Sequence, residues 1–326
     1  MAKRSTATKP TARLSNCFIM GDNLEVMASL SAAGLAKSAM LIYIDPPFLS
    51  GVDYSKRSGK GKKQFAYTDK FSREGYLEML RPRLTLMHTL LADTGKIFVH
   101  CDWRASHLIR TLLDEIFGAE NFLNEIVWHY GGRGAKAVSG QFARNHDSIY
   151  AYGKTKRAKL KKLYIERKMT LKEAAALGYR ADEKGRVFKT APRGDYTDKS
   201  IATLEKQGRV HTTKNGKVRI KYFLEKRGNL FVEKIPVGDV WSDIPDAMHM
   251  PLKERTGYPT QKPETLLRRI IECSTDEGDL VMDFFAGSGT TASAATALKR
   301  KWIIADSSPV AAKTASRRLK ARNSGL

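Results

Sequence analysis

Residues 279–306 read DLVMDFFAGSGTTASAATALKRKWIIAD, and this stretch decides the fold. The apolar run at 279–285 predicts a buried strand, the small-residue run at 290–300 a helix, and 301–306 a second strand. A strand, a helix and a strand at this spacing predict parallel strands joined by a right-handed crossover. The sequence therefore predicts an α/β fold with a doubly wound, mainly parallel, Rossmann-like sheet.

The turn between the first strand and the helix is rich in glycine. Gly287 and Gly289 remove side chains where the backbone turns, and the helix start offers free N–H groups to a ligand. Asp306 ends the next strand, where a carboxylate accepts hydrogen bonds from ribose hydroxyls. These features predict an adenosine-containing ligand. The loop also satisfies the dinucleotide pattern G-x-G-x-x-A, so this stretch alone leaves an NAD-binding protein open.

The rest of the chain continues the alternation of apolar runs and amphipathic runs. Helix 73–91 contains Pro82, where a kink is expected, and Thr94-Gly95 predicts a turn before the strand that follows. Pro263 is expected at the start of a helix. No internal repeat is visible. Strands are predicted at 17–20, 40–44, 96–101, 125–130 and 148–153, and further helices at 104–118, 263–274 and 308–323.

The segment IYIDPPFLSG, residues 42–51, ends an apolar run in Asp45 and continues with Pro46, Pro47 and Phe48. The Asp45 carboxylate and the Pro46 carbonyl are both hydrogen-bond acceptors, and neither proline offers a backbone N–H. The prolines restrict the backbone and hold both acceptors in one geometry. The pattern predicts a site that needs acceptors only, although in isolation it also fits a helix cap or a strand-ending turn.

The chain of 326 residues carries 57 Lys+Arg against 34 Asp+Glu, a formal charge of +23, with a pI near 9.9. Such an excess predicts a polyanionic partner, most often nucleic acid. Residues 154–230 hold 23 of these cations and 8 acids, a net +15, with tyrosine and phenylalanine interleaved. A charge kept only for solubility would be spread more evenly. We therefore expect a nucleic-acid-binding insert, with a hairpin at KNGK, residues 214–217.

The three cysteines lie far apart, which predicts a reducing compartment and no disulfide framework. His100, Cys101 and Asp102 have no second ligand cluster nearby, so no metal site is predicted. The basic segment 1–13 has no apolar run after it and is expected to be a disordered arm rather than a signal peptide. No apolar stretch reaches the length of a membrane helix. We expect no membrane partner and a cytoplasmic location.

The Asp-Pro-Pro-Phe corner and the Asp-Phe-Phe-Ala-Gly-Ser-Gly-Thr-Thr loop together resemble the β group of S-adenosylmethionine-dependent DNA amino-methyltransferases. The order of target motif, recognition insert and cofactor loop is that of this group. Residues 21–27, 95–130, 239–244 and 254–271 are also similar, especially to adenine-N6 members close to type III restriction-modification methyltransferase subunits. The resemblance covers about residues 15–150 and 236–320.

The resemblance implies a site-specific methyltransferase that moves a methyl group to the N6 nitrogen of adenine in double-stranded DNA. The base is flipped out, and transfer is a direct displacement. An aspartate as first motif residue goes with adenine in this group. Cytosine-N4 methylation, and an inactive DNA-binding protein on the same fold, stay open as alternatives. The catalytic residues implied are Asp45, Pro46, Pro47 and Phe48, with Phe48 as the stacking plate for the base.

The cofactor implied is S-adenosylmethionine. The sequence departs from the group at Phe284, where proline is usual, and at Phe48, where tyrosine is commoner. Thr260 and Lys262 are expected at the methionine carboxylate, although Lys262 is equally a candidate for a solvated charge. The cofactor-binding residues implied are Asp22, Thr260, Lys262, Asp283, Phe285, Gly287, Ser288, Gly289, Thr290 and Asp306.

The expected organisation is a basic arm (1–13), the target-motif half of the catalytic domain (14–153), the basic target-recognition insert (154–235), and the cofactor half (236–326). By analogy with the group, a homodimer and a partner from a restriction system are candidate partners. The same analogy implies a prokaryotic or phage protein that works on the nucleoid.

Overall fold

The computed structural model describes residues 16–57, 63–131 and 140–323, so the arm expected at 1–13 lies outside the described residues. The chain divides into a first unit, Met1–Lys161 with Gly238–Leu326, and a second unit, Lys162–Val237. The insert expected at 154–235 therefore begins later in the structure. Residues 154–161 stay with the first unit because Ala158 is buried there and the Lys161 N–H donates to the Cys273 carbonyl at 2.8 Å.

Strands and helices are numbered in chain order through the described residues. The strands are β1 (Cys17–Met20), β2 (Ala39–Ile44), β3 (Asp53–Arg57), β4 (Lys63–Thr68), β5 (Leu91–Cys101), β6 (Phe122–His129), β7 (His146–Gly153), β8 (Tyr164–Met169), β9 (Arg180–Ala181), β10 (Val187–Pro192), β11 (Val210–Thr212), β12 (Val218–Phe223), β13 (Glu225–Arg227), β14 (Leu230–Pro236), β15 (Val240–Trp241), β16 (Leu280–Asp283) and β17 (Lys301–Asp306). The helices are α1 (Asn23–Leu30), α2 (Arg73–Leu90), α3 (Ser106–Phe117), α4 (Leu171–Ala176), α5 (Asp198–Lys206), α6 (Glu264–Ser274), α7 (Thr290–Ala297) and α8 (Pro309–Asn323).

The first unit is built on one sheet in the order β1–β17–β16–β2–β5–β7–β6–β15. Its neighbouring strands are parallel except at β7, which runs antiparallel to both β5 and β6. Strands β2 and β16 pair directly, with Leu41 opposite Val281 and Ile42 opposite Met282. This pairing joins the two halves of the chain. The predicted doubly wound, mainly parallel sheet is confirmed.

Both faces of the central strands are buried, which is typical of a sheet with helices on each side. Ile42 and Ile44 of β2 belong to a core that includes Met27 of α1 and Leu80 of α2. Residue Leu41 points to the opposite face and is also fully buried, and helix α6 contacts β2 and β5. The near-continuous apolar run of β2 follows from this double burial.

The strand order reverses direction between β16 and β2. The chain passes from β16 through α7 to β17 on one side, and from β2 through α2 to β5 on the other. Ligands of open α/β sheets bind at such a switch point, outside the carboxyl ends of the strands. Asp283 ends β16 and Asp45 follows β2, so both lie at this crevice.

Two local predictions need correction. Helix α2 ends at Leu90, and β5 begins at once and includes Thr94-Gly95, where a turn was expected. A Cβ on Gly95 would lie 2.7 Å from the Ala39 carbonyl, so the glycine allows β2 to approach closely. Pro263 is the residue that precedes α6 rather than its first residue. Pro82 lies inside α2, and the kink expected there stays a prediction.

The second unit contains two small antiparallel sheets, in the orders β13–β14–β8 and β11–β12–β10–β9. Strands β11 and β12 form the hairpin predicted around residues 214–217. The apolar core of the second unit is small and consists mainly of Met169, Ala174, Tyr179, Val187 and Phe231. Helices α4 and α5 were not predicted, because each is short and lies in a basic segment without a long apolar period.

The second unit also contains an internal repeat that the sequence did not reveal. Helix α4 with hairpin β9–β10 is followed by helix α5 with hairpin β11–β12. A threonine caps each helix, Thr170 for α4 and Thr197 for α5, by accepting a hydrogen bond from a backbone N–H three residues later. Each hairpin turns at a glycine with positive φ, Gly185 at 71° and Gly216 at 73°.

The two halves of this repeat meet in the antiparallel pair β10–β12. Thr190 lies opposite Lys221 at the centre of this pair of strands, and two further pairs of facing residues lie on each side of them. The repeat is therefore arranged about a quasi-two-fold axis through this pair. Few positions carry the same residue in both halves, since the turn geometry requires only the glycines. The expectation of no repeat was wrong for this reason.

No helix in the described ranges is long and apolar enough to span a membrane.

Candidate active site

A cavity of about 410 Å³ lies at the carboxyl edge of the sheet and is lined from both halves of the first unit. Its volume is in the range of small-ligand sites. Pro46, Phe48 and Gly289 do not belong to its lining. The sequence-predicted residues that line it are Asp22, Asp45, Pro47, Thr260, Lys262, Asp283, Phe285, Gly287, Ser288, Thr290 and Asp306.

The Asp45 carboxylate has two unequal oxygens. Oδ2 accepts from the Lys262 ammonium at 2.6 Å. Oδ1 is buried, and no hydrogen-bond partner for it occurs in the described part of the chain. A buried carboxylate oxygen without a donor is costly in free energy unless a ligand supplies one. Asp45 therefore presents an acceptor to the cavity.

Lys262 is not a solvated charge, because only 9% of its side chain is exposed. Besides its ion pair with Asp45, its ammonium lies 5.0 Å from the centre of the Phe48 ring. This cation–π contact and the ion pair hold the lysine across the Asp-Pro-Pro-Phe corner. The sequence predicts Lys262 at the cofactor, and the geometry pairs it with Asp45.

Phe48 is supported by a buried histidine that the sequence did not connect with it. The rings of Phe48 and His100 stack with centroids 5.9 Å apart. His100 is fully buried, with Nδ1 3.0 Å from the Tyr43 hydroxyl and Nε2 3.0 Å from Asp147 Oδ2. Burial raises the pKa of Tyr43. Its hydroxyl therefore stays protonated and suits Nδ1 as acceptor, which leaves the Nε2–H to donate to Asp147.

Asp306 accepts two backbone hydrogen bonds. The Gly287 N–H donates to Oδ2 at 2.8 Å and the Ser308 N–H to Oδ1 at 2.9 Å. Each oxygen keeps a second lone pair for a ligand hydroxyl. A Cβ on Gly287 would lie 3.2 Å from Tyr258 Cε1, so glycine keeps this part of the cavity wall open. The loop and the carboxylate thus form one cradle.

Gly289 has a packing role that the sequence did not indicate. Its φ is 74°, and a Cβ there would lie 2.7 Å from the Cβ of Ala315 in α8. The glycine therefore permits close packing of the loop on the last helix, and its contact with a cofactor stays a prediction. Ser288 and Thr290, on either side of it, both accept from the buried guanidinium of Arg318, at 3.2 and 2.6 Å. Arg318 thus fixes the loop from behind.

Asp283 is fully buried at the end of β16. Its Oδ1 accepts from the Phe285 N–H at 2.9 Å and its Oδ2 from the Thr291 hydroxyl at 2.5 Å. Burial raises the pKa of Asp283 from 3.8 to about 7, because desolvation outweighs these two hydrogen bonds. The carboxyl shapes the start of the glycine loop and changes charge near neutral pH.

Asp22 and Thr260 lie at the rim. Asp22 caps α1 by accepting from the Leu24 N–H, and its Oδ2 accepts from Arg83 at 2.9 Å. Thr260 has a positive φ of 56°, and its hydroxyl is 3.0 Å from that of Tyr67 in β4. The Thr260 hydroxyl also donates to the Pro259 carbonyl at 2.7 Å, and both residues line the cavity.

Several residues that line the cavity were not predicted from the sequence. Tyr67 and Phe65 come from the β3–β4 hairpin, which carries no motif. Tyr258 lies in a segment that was matched, YPTQKP, but only its threonine and lysine were singled out. The other unpredicted lining residues include Asn23, Tyr43, Arg83, Pro259 and Ser308. Nothing in the sequence distinguishes an aromatic residue that lines a cavity from one that packs in the hydrophobic core.

The chain matches the model of a protein family described as DNA methylase over residues 39–317. Type II methyltransferase M.EcaI of Enterobacter cloacae is 35% identical over 333 residues, covering 94% of this chain and 69% of that protein. The chain belongs to the DNA methylase family. This methylase also resembles a probable type III restriction-modification enzyme, the HindVI Mod subunit of Haemophilus influenzae, at 28% identity over 88% of the chain. It spans about half of that subunit, 48% of its length.

Among solved structures, the cytosine-N4-specific PvuII DNA methyltransferase is similar in fold, with a TM-score of 0.55 at 14% identity. The match covers 93% of this methylase and 85% of that chain. At this identity the likeness concerns the fold alone. Family membership and fold agree with the sheet order and the site geometry described above.

S-adenosylmethionine is the methyl donor of this family, and the residues of the cavity fit it. Carboxylates of Asp22, Asp45 and Asp306 face a cavity whose lining includes Phe285 and Tyr258. A sulfonium cation suits the negative charge, and the ribose hydroxyls suit the second lone pairs of Asp306. The space left open by Gly287 is consistent with a ligand held against the loop.

Replacing Gly289 should destabilise the methylase more than replacing a glycine of similar φ in open space. In G289A the left-handed conformation costs about 1–2 kcal/mol, and overpacking against Ala315 about 1–3 kcal/mol more. Gly278 has φ 84°, and a Cβ added there would meet no atom within 4 Å, so G278A isolates the conformational cost. Urea unfolding measures both. Equal losses in the two variants would contradict the packing role of Gly289.

Replacing Asp283 by asparagine should change the pH dependence of stability. Since burial raises the pKa of Asp283 to about 7 in the folded state, its contribution is fully present below about pH 4 and is lost as the pH rises through 7. D283N lacks this loss. The difference in free energy of unfolding, D283N minus wild type, should therefore rise by about 2–4 kcal/mol from about pH 4 to pH 7. Cofactor-free urea unfolding at several pH values measures this.

D195N removes one charge from an exposed position and controls for net charge. A difference between D283N and the wild type that stays constant from pH 4.5 to 8 would show that Asp283 does not titrate in this range.

Proposed function

We propose that this DNA methylase transfers a methyl group from S-adenosylmethionine to the N6 amino group of adenine in duplex DNA. The observation that carries the proposal is the buried Asp45 Oδ1, which has no donor among the described residues and lines the same cavity as the glycine loop. An exocyclic amine is a group that brings donors to such an acceptor.

The amine is a poor nucleophile because its lone pair is delocalised into the ring. Asp45 Oδ1 accepts one N–H, and the Pro46 carbonyl is proposed to accept the other. The two acceptors draw the protons away from the ring plane, so the nitrogen lone pair turns toward the cofactor side of the cavity. Pro46 and Pro47 restrict the backbone and keep this geometry before the base arrives.

When bound, the cofactor would supply an electrophilic methyl group on a sulfonium ion. As the N–C bond forms, the C–S bond would break, the sulfur would leave as a neutral thioether, and the amine would give up one proton, which the Asp45 carboxylate is placed to accept. The residues proposed to hold the cofactor keep the roles that the resemblance implies: Asp306 for the ribose, and Asp22 for the adenine amino group of the cofactor. Thr260 and Lys262 are the candidates for the methionine carboxylate, and Asp283, Phe285, Gly287, Ser288 and Thr290 form the loop around the methionine half. Gly289 supports that loop from the side of α8.

The target atom is inaccessible inside a duplex, so the base must be flipped out. Phe48 is proposed to stack on it, with His100 behind the ring as a rigid support. The Lys262 ammonium already contacts the Phe48 ring. It must therefore share the space beside this ring with the flipped base. Its ion pair with Asp45 keeps that carboxylate in place until the amine enters.

We propose adenine rather than cytosine as the target base because the motif begins with aspartate. In this respect the chain resembles the adenine-modifying members of the group. Cytosine-N4 transfer is the second candidate, since the PvuII enzyme of similar fold is cytosine-N4-specific. The intact corner and glycine loop argue against an inactive DNA-binding protein. A charged acceptor suits either amine, so the product must be identified by experiment.

The remaining proposals rest on the relatives. The HindVI protein is a subunit of a restriction-modification enzyme, so a restriction partner is a reasonable partner to test. A homodimer, and action on nucleoid DNA in the cytoplasm of a prokaryote or in a phage-infected cell, are proposed by the same analogy. The second unit is proposed as the target-recognition module because of its net positive charge.

The methylated base identifies the reaction. We expect label from methyl-labelled S-adenosylmethionine in N6-methyladenine after digestion of mixed-sequence duplex DNA to nucleosides. Label in N4-methylcytosine would replace the adenine assignment. The absence of label from genomic DNA of varied composition would refute transfer to DNA.

Removing the acceptor should abolish transfer without abolishing cofactor binding. In D45A both oxygens are lost, and we expect turnover below 1% of the wild type, on the order of the 10²–10⁴-fold typical of a positioned acid–base group. D276A removes the same charge at the opposite edge of the sheet, where Asp276 pairs with exposed Lys161, and should keep its activity. Labelled-cofactor binding is measured alongside, and wild-type turnover by D45A would show that the corner is not the catalytic site.

A further inference from the structure

The sheet β11–β12–β10–β9 has one face that carries aromatic rings and cations. The register places Phe188 of β10 directly between Arg180 of β9 and Phe223 of β12. Residues opposite one another in antiparallel strands share a face. Two residues further along, Lys221 shares that face with Thr190, and beyond it Arg219 lies opposite Pro192.

The other face of the same sheet carries the buried residues, although Lys189 and Tyr222 on that face are exposed. Val187 and Ile220 point to it and are 2% and 0% exposed. Val187 belongs to a core with Ala174 of α4, and α5 contacts β11. Because the quasi-two-fold axis is perpendicular to the sheet, it places both helices on this inward face. On the opposite face Arg180, Phe188, Arg219, Lys221 and Phe223 are all exposed or half-exposed, and we call these five residues the open face.

The open face carries unpaired positive charge. The strands β9 to β12 contain no Asp or Glu. Within the described residues no ion pair is found for Arg180, Arg219 or Lys221. Four of the other five arginines of the unit, Arg167, Arg186, Arg193 and Arg227, each contact a carboxylate.

Two cations contact the aromatic rings of the open face. The centroids of Phe188 and Phe223 are 5.6 Å apart. The Lys221 ammonium lies 5.2 Å from the Phe188 ring, and the guanidinium of Arg186, which is itself paired with Asp182, lies 4.2 Å from the Phe223 ring. The open face thus combines two partly exposed rings with cations.

We propose that the open face is the surface by which the second unit binds duplex DNA. The phosphates match the unpaired Arg180, Arg219 and Lys221, and the central β10–β12 ribbon has the form that the major groove of B-DNA admits. The phenylalanine pair then contacts sugars or thymine methyl groups rather than phosphates. This inference rests on the proposed function for its partner, but it assigns the contact to one face of one sheet.

The test compares two double variants of the full chain with the same change in charge. R180Q/K221Q removes two cations from the open face, where neither side chain accepts or donates a hydrogen bond to its neighbours in the described residues. K199Q/K206Q removes two exposed cations from α5, on the inward-packed side. Binding to a labelled duplex is measured without cofactor from 50 to 200 mM salt, and thermal unfolding checks that both variants fold.

We expect R180Q/K221Q to weaken binding about tenfold at 150 mM salt and to reduce the slope of log K against log salt by about 1.8, at 0.9 for each phosphate contact. K199Q/K206Q should change neither quantity. Equal weakening by both variants, or none by R180Q/K221Q, would overturn the assignment of the open face.

This outcome is separable from that of the proposed function. If R180Q/K221Q alone loses affinity but the wild type yields no N6-methyladenine, the binding surface stands and the proposed reaction fails. If the wild type methylates adenine and R180Q/K221Q binds as the wild type does, the reaction stands and the open face is wrong.

Discussion

The parallel pairing of β2 with β16 is the contact on which the rest of the structure depends. These strands come from the two ends of the chain, and Leu41 lies opposite Val281 in the middle of the sheet. The pairing creates the switch point and brings Asp45 and Asp283 to one crevice. Without it, the acceptor corner and the glycine loop would be two unrelated turns. The apolar content of both strands is thus a requirement of the site as well as of the core.

More carboxylates than cations line the crevice. The free-energy cost of burying a carboxylate is met differently at each position. Asp306 is held by two backbone N–H groups, and Asp45 by Lys262. No cation pairs with Asp283 in the part of the chain that the structure describes, and burial raises its pKa to about 7. These arrangements leave acceptors facing the cavity, which suits a cationic cofactor and an amine substrate. The positive charge of the protein is placed elsewhere, in good part on the second unit, where a polyanion would bind.

Much of the fold followed from local pattern. The strands at 17–20 and 301–306, the helix start after Ser72 and the helix end at Gly118 could be predicted because periodicity, caps and glycine positions are local properties. The repeat in the second unit could not, because turn geometry repeats there while residue identity does not. The packing role of Gly289 could not be predicted for a related reason. A glycine is required there by Ala315, a neighbour that only the folded chain supplies.

The sequence by itself determined the fold class, the two motifs and the basic insert, since each depends on residue types at short spacing. Only the tertiary structure decided which groups meet. It paired Lys262 with Asp45 across 217 positions, placed His100 behind Phe48, and left one oxygen of Asp45 without a donor. It also showed which face of the β9–β12 sheet is open. The physical reason is that burial, ion pairing and hydrogen-bond satisfaction are properties of neighbours in space, and long-range strand pairing decides those neighbours.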